Sequence, residues 1–318
     1  MTARSFVIEH GRARAVPRDE ATKLLGTAPF VWIHFDDCED ATQAWLSGPG
    51  ALPELVVTAL IATETRPRMD QFDGGALVNL RGPDAGVETT PDLLSSIRLW
   101  VAKGRVFSVT RRDLAALDTM EAGFASGTVH DPGDFVATLA AQITDELDPD
   151  VARLGDTLDD CEERVGERGS LALRRRIAVA RRRAIGYRRF LSPQRTALER
   201  LATLDVDWLD DDDRMHLNEA ADRAARMTEE LEAIRERAAL LHEQLTDLRA
   251  ETIDTRSLVI AVVAMVFLPL TFLTGLLGMN VEGIPFAKEP WAFLAIVGVS
   301  AVIAVAIAWY FFRARWFR

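Results

Sequence analysis

Two stretches near the end of this 318-residue chain lack every Asp, Glu, Lys and Arg: Ser257 to Met279 and Trp291 to Phe312. A helix facing water over that length would carry charge, so a solvated surface is excluded for both. About 20 apolar residues at 1.5 Å rise cross about 30 Å of hydrocarbon, and each stretch is long enough to span a bilayer. Cysteine is almost missing. Cys38 and Cys161 stand far apart with no CxxC, which excludes a disulfide framework and a paired-thiol metal site and fits two unpaired thiols in a reducing compartment. Only Lys23, Lys103 and Lys288 among the 37 basic residues are lysine, so arginine is the default cation of this chain. Between Asp213 and Pro269 there is neither Pro nor Gly, which leaves nothing to interrupt a helix. No nucleophile–base pair, phosphate loop or metal motif appears, and an enzyme is disfavoured on that ground.

What is present sets a topology. The polar, mixed-charge start of the chain does not read as a signal peptide, so the hydrophilic bulk is expected to stay on the side of synthesis. Arg249 and Arg256 precede the first apolar stretch and Arg313, Arg315 and Arg318 follow the second, while the short connection holds Lys288 against Glu282 and Glu289. The positive-inside rule places both ends in the cytoplasm and the connection outside. The expected division is a cytoplasmic α/β domain over 1–130, a helical layer over 131–208 and a stalk helix over 209–256. A first membrane helix over 257–279, an outer loop over 280–290, a second membrane helix over 291–312 and a basic tail over 313–318 complete it. The net charge of −11 has the sign that suits a protein gathering cations, though acidic soluble domains are common.

The first part alternates. Phe30 to Phe35, Ala76 to Leu80, Ile97 to Val101 and Val106 to Thr110 are rich in β-branched and aromatic residues and read as strands, with Asp73-Gly74-Gly75 a turn and 102–105 a hairpin connection. A helix lies between them from Pro53 to Ala62. After Asp113 strand signals cease. Pro132 opens a helix with Asp131 as its N-cap, and Phe135, Leu139, Ile143 and Leu147 give it an apolar face. Arginine crowds the segment from Ser170 to Leu204. Its apolar stripe of Ile177, Ala180, Ala184, Tyr187 and Leu191 makes those arginines the solvated or partner-facing sides of a helix, and no nucleic-acid partner is expected.

Asp210, Asp211, Asp212 and Asp213 stand at the head of the longest periodic segment. Carboxylates there satisfy free N–H groups and complement the helix dipole. The alternative, allowed by the family resemblance that residues further along carry, is a regulatory divalent-cation site shared between subunits, for which an all-oxygen set suits magnesium or calcium better than zinc. From Leu217 to Leu248 apolar residues recur at alternating spacings of three and four, a bundle or coiled-coil seam. Stalk and first apolar stretch read as one helix of about 100 Å at 1.5 Å per residue, packed against copies of itself or against neighbouring helices.

Within the first apolar stretch Thr271, Thr274 and Gly278 share one helical face, which Leu268, Ala264, Ile260 and Ser257 continue. Polar residues in a span tend to face a bundle interior or a water path, so this helix is expected to line a pore and the second to face lipid. Gly278-Met279-Asn280 follows at the exit, with Glu282 two residues on. The passage from Met265 to Pro285 resembles the CorA superfamily of divalent-cation channels and transporters, and the residues around the tripeptide resemble its ZntB branch of bacterial zinc transporters. Tyr187 to Leu201 resembles the long helix and turn of that branch, with Pro193 at the bend.

The resemblance implies an α+β membrane protein built as a funnel-shaped homopentamer. It also implies the long helix lining the inside, Asn280 as the selectivity-ring residue and a transported Zn2+ or Mg2+ in place of any cofactor. It further implies coupling to a proton gradient, yet neither stretch holds a carboxylate that would carry a proton. Two departures bear on the cation: Met279 stands where ZntB-type chains carry an aliphatic residue, and Glu282-Gly283 replaces Gly-Gly. A membrane-anchored coiled-coil scaffold is the competing class; it requires neither the polar face nor the tripeptide. His34, Cys38, His216, His242 and Cys161 are the soft-ligand candidates, none at zinc-site spacing.

Overall fold

The computed structural model describes residues 4–63, 66–86, 94–166, 170–279, 284 and 289–313. It divides into two compact units, 1–241 and 242–318.

The first unit is built on a seven-stranded sheet in the order β2-β1-β3-β7-β6-β5-β4. Its strands are β1 (Ser5–Glu9), β2 (Arg12–Ala15), β3 (Phe30–Phe35), β4 (Arg68–Phe72), β5 (Gly75–Pro83), β6 (Leu94–Ala102) and β7 (Arg105–Thr110). All neighbours are antiparallel except β3 and β7, where Val31 to Phe35 run parallel to Arg105 to Val109. Two-residue loops close the β4–β5 and β6–β7 hairpins. Gly74 and Gly104 occupy their left-handed positions, at φ 84° and 70°, where a side chain would strain the backbone. One face of the sheet is covered by α1 (Arg18–Lys23), α2 (Asp40–Ser47) and α3 (Glu54–Ile61), whose Leu46, Val56 and Leu60 pack with Ile33, Trp100 and Phe107. On the other face Trp32 stacks on Phe124 of α4 (Ala116–Ser126), with ring centroids 5.4 Å apart, and meets Phe135 at 5.1 Å.

Three long helices follow: α5 (Pro132–Glu163), α6 (Ser170–Ala202) and α7 (Asp211–Leu277). Asp131 caps α5, accepting from the Gly133 and Asp134 amides at 2.8 and 3.0 Å. Side chains tie α5 to its neighbours: Tyr187 donates to Asp150 at 2.9 Å and Arg176 pairs with Asp160 at 3.0 Å, while Arg223 pairs with Asp145 and Arg237 with Glu162 at 2.9 Å. The heptad positions Leu217, Ala224, Leu231, Ile234 and Ala238 are at most 2 % exposed within the single chain. That part of the seam is therefore consumed by the subunit's own helices, whereas Leu248 is 41 % exposed.

Pro193 is no bend. α6 continues through it to Ala202, and the turn falls between Ala202 and Asp211. The carbonyl deprived of a partner belongs to Arg189, a solvent-facing residue, so water can replace the missing amide. The second unit holds the remainder of α7 and α8 (Ala292–Arg313).

Candidate cation-handling sites

Two regions carry the residues singled out by the sequence. The first is the charge-free part of α7. Both this part and α8 are long and apolar enough to cross a membrane, and no residue of either apolar window is buried in the chain. Ile260, Leu268 and Phe272 are 69, 75 and 72 % exposed, as are Phe293 and Leu294 of α8 at 72 and 71 %. Ser257, Ile260, Ala264, Leu268, Thr271 and Thr274 form one exposed helical face. Thr271 Oγ1 donates to the Phe267 carbonyl at 2.8 Å, and Thr274 Oγ1 donates to the Leu270 carbonyl at 2.9 Å. These back-bonds use the hydroxyl protons and leave each oxygen its outward lone pairs, so the two threonines offer acceptors rather than donors. The helix stops at Gly278, whose amide donates to the Thr274 carbonyl at 2.9 Å. A Cβ at Gly278 would itself approach that carbonyl oxygen to 2.9 Å, closer than a side chain allows. Met279 is half exposed; Asn280 and Glu282 lie outside the described residues.

The second region joins two helix N-termini. The Asp210 amide donates to Asp213 Oδ2 at 3.0 Å, and the Asp213 amide donates to Asp210 Oδ1 at 2.9 Å. This reciprocal pair is a capping box made from two aspartates. Gly133, in the first turn of α5, lies so close that a Cβ there would overlap the Asp213 carboxylate. One oxygen each of Asp131, Asp134 and Asp213 lie within 4.8 Å of one another. Burial, reinforced by the charges of Asp210, Asp131 and Asp134, pushes the Asp213 carboxyl up to about 6 against the opposing Asp210 amide bond. Burial also raises Asp131. Arg214 fixes the approach, donating to the carbonyls of Ala202 at 2.9 Å and Leu209 at 3.2 Å.

The four consecutive aspartates thus part company. Asp210 and Asp213 form the box, while Asp211 and Asp212 are exposed and Asp212 faces His216 at 3.6 Å. Asp131 and Asp134 join the cluster from a segment 79 residues away, counting from Asp131 to Asp210. Both N-caps could be read singly from the sequence; their meeting required the fold. Each carboxylate here already answers a helix N-terminus, whose partial positive charge opposes a cation.

The soft-ligand candidates do not assemble. His34 is buried, its Nδ1 2.8 Å from Ser108 Oγ, and burial together with Arg4 and Arg18 lowers it to about 3. Cys161 is buried, Cys38 half-buried, and His216 and His242 exposed. Among the described residues no group of three potential ligands includes a His or Cys. Some arginines of α6 form ion pairs, such as Arg188 with Glu232 at 2.8 Å, and others, such as Arg181 and Arg182, are exposed.

The model of the CorA-like Mg2+ transporter protein family matches residues 27–313. The zinc transport protein ZntB of Pectobacterium atrosepticum is 31 % identical over 307 residues, 96 % of this chain and 93 % of the relative. The structure of full-length CmaX superposes with a TM-score of 0.83 at 32 % identity, covering 98 % of this chain and 97 % of that one. The CorA magnesium transporter of Methanocaldococcus jannaschii gives the same TM-score, 0.83, at 15 % identity over 99 % of each chain, a likeness of fold.

Proposed function

Since the chain belongs to the CorA-like Mg2+ transporter protein family over residues 27–313, we propose that it carries divalent cations across the cytoplasmic membrane, zinc first among them. The observation that carries this reading is near-full-length similarity to a protein named for zinc transport, in a chain where the C-terminal part of α7 and α8 each hold an apolar, uncovered window. In this reading five copies surround one axis, both ends of the chain lie in the cytoplasm and the loop after α7 faces outside.

The charge-free part of α7 supplies the path. Ile260, Ala264 and Leu268 offer no ligand, and a bare dication against them would be poorly compensated, so the ion crosses largely hydrated. Thr271 and Thr274 present lone pairs to that water. A ring of Asn280 amides at the exit holds the hydrated ion by neutral dipoles, strongly enough to admit it and weakly enough to release it. Glu282 adds a carboxylate ring whose field raises the local cation concentration. Between Ser257 and Met279 no carboxylate is available to act as a proton carrier. The acidic junction of Asp131, Asp134, Asp210 and Asp213 serves as a double helix cap.

A second reading, a magnesium channel, is favoured by Met279 and by the name of the matching family. Metal-specific flux into proteoliposomes, with and without an imposed pH gradient, separates the two. Zinc entry with cobalt, nickel and cadmium also admitted is the expected result. Magnesium entry with no zinc would replace it by the second reading, and accumulation driven by the gradient would show proton coupling without a carboxylate carrier in the apolar part of α7.

A further inference from the structure

α6 and α7 each bury one stripe and expose another. On α6 the exposed stripe runs through Ala178, Arg182, Ile185 and Arg189; on α7 it runs through Glu229, Ala233, Glu236 and Leu240. Both follow the spacing four, three, four, and in both an apolar residue alternates with a charged one. The charges are opposite. Ile185 and Leu240 are 47 and 59 % exposed although each helix has a complete buried stripe of its own, so neither is needed for the subunit's core. Among the described residues none of Arg182, Arg189, Glu229 and Glu236 takes part in an ion pair.

Laid antiparallel, the stripes match at every step: Arg189 with Glu229, Ile185 with Ala233, Arg182 with Glu236, Ala178 with Leu240. Antiparallel is also how the two helices run within the subunit, where Arg188 meets Glu232 at 2.8 Å and Arg214, near the start of α7, bonds the Ala202 carbonyl at the end of α6. From the Arg188–Glu232 pair, Arg182 lies six residues back along α6 and Glu236 four residues on along α7. The two outer stripes therefore sit at the same height to within two residues, about 3 Å at 1.5 Å per residue. Rotation about an axis parallel to the helices keeps height unchanged. It would carry the α6 edge of one copy onto the α7 edge of the next in register, and two different patches meeting head to tail at constant height close into a ring.

We infer that the outer face of α6 docks on the outer face of α7 in a second copy of this chain, through alternating Arg–Glu and apolar contacts. The inference rests on the reading of the protein as a homo-oligomer and adds the surface that joins its subunits. The test uses the full chain in detergent with Cys38 and Cys161 replaced by Ser. Ala178→Cys with Leu240→Cys should oxidise into a ladder of covalent oligomers. Adding Arg182→Glu should cut the ladder yield at least about fivefold, because it sets like charges opposite one another, and adding Glu236→Arg as well should restore it. All four positions are exposed in the single chain, so each subunit should keep its helical content by circular dichroism. No ladder from an oligomeric parent, or a ladder indifferent to the charge swaps, would overturn this surface. A monomeric parent would instead defeat the oligomer reading beneath it.

Discussion

One helix meets two environments. From Leu217 to Leu241 the heptad positions of α7 are buried, and Arg223 and Arg237 on its flanks pair with α5. From Ser257 to Leu277 the same helix has no charge and its large side chains stand uncovered. The contrast teaches that hydrophobicity alone does not say where a residue goes. In the first part a narrow stripe suffices because neighbouring helices of the subunit meet it. In the second the apolar surface runs all round, and only lipid or other copies can cover it.

The sharpest way to break the contrast is to charge the covered part. Leu231 is fully buried, and Leu231→Asp should cost roughly 4 kcal/mol or more, since it adds an unpaired carboxylate to a lost side chain. A thermal melt of the purified protein would show loss of the cooperative transition. Met215, 57 % exposed on the same helix, should change stability by less than about 0.5 kcal/mol as Met215→Ala. Equal melts for the two would mean that the seam is not packed.

At the other end of α7 the effect should fall on transport, not on folding. Asn280→Ala should abolish or sharply reduce metal flux in proteoliposomes with an unchanged melt. Normal flux would remove the tripeptide from the filter. Glu282→Gln should act less, weakening uptake most at low ionic strength, where the field of a carboxylate ring is least screened; equal uptake at low and high salt would discard it.

A smaller effect sharpens the account of the helix start. Asp213 has a folded-state pKa of about 6 against an ordinary 3.8, so the folded chain binds the proton more tightly than the unfolded one. Its contribution is fully present below the unfolded value and is lost as pH rises through the folded one. Asp213→Asn keeps an oxygen for the Asp210 amide and removes the charge. Melts of the variant should fall less than those of the parent between roughly pH 4 and pH 7. Parallel curves would show that Asp213 does not titrate there.

How much of this was legible depends on local signal. β3, β5, β6 and β7 are runs of Val, Ile, Leu and aromatics, buried on both faces, and could be read directly. β2 and β4 could not: Arg12–Ala15 has no large apolar residue, and Arg68–Phe72 buries only Met69, because both lie at sheet edges. The parallel meeting of β3 with β7 is long-range and leaves no mark on either segment. The heptad seam was plain, but its partner was not, since the same spacing serves a neighbour in the chain or a second copy. The spacing of Thr271 and Thr274 placed them on one helical face, and their back-bonds to Phe267 and Leu270 add that they offer lone pairs. The junction of Asp131 and Asp134 with Asp213 was hidden because two correct caps say nothing of their distance.

The central claim is that one face of the charge-free part of α7 meets the passing ion while the others do not. Single cysteines scanned along it, with Cys38 and Cys161 replaced by Ser, test this most directly in reconstituted protein. Thr271→Cys and Thr274→Cys should react with a membrane-impermeant thiol reagent, and the reaction should block zinc flux, while Phe272→Cys should neither react nor block. A reactive, blocking cysteine at 272 beside inert ones at 271 and 274 would contradict the account.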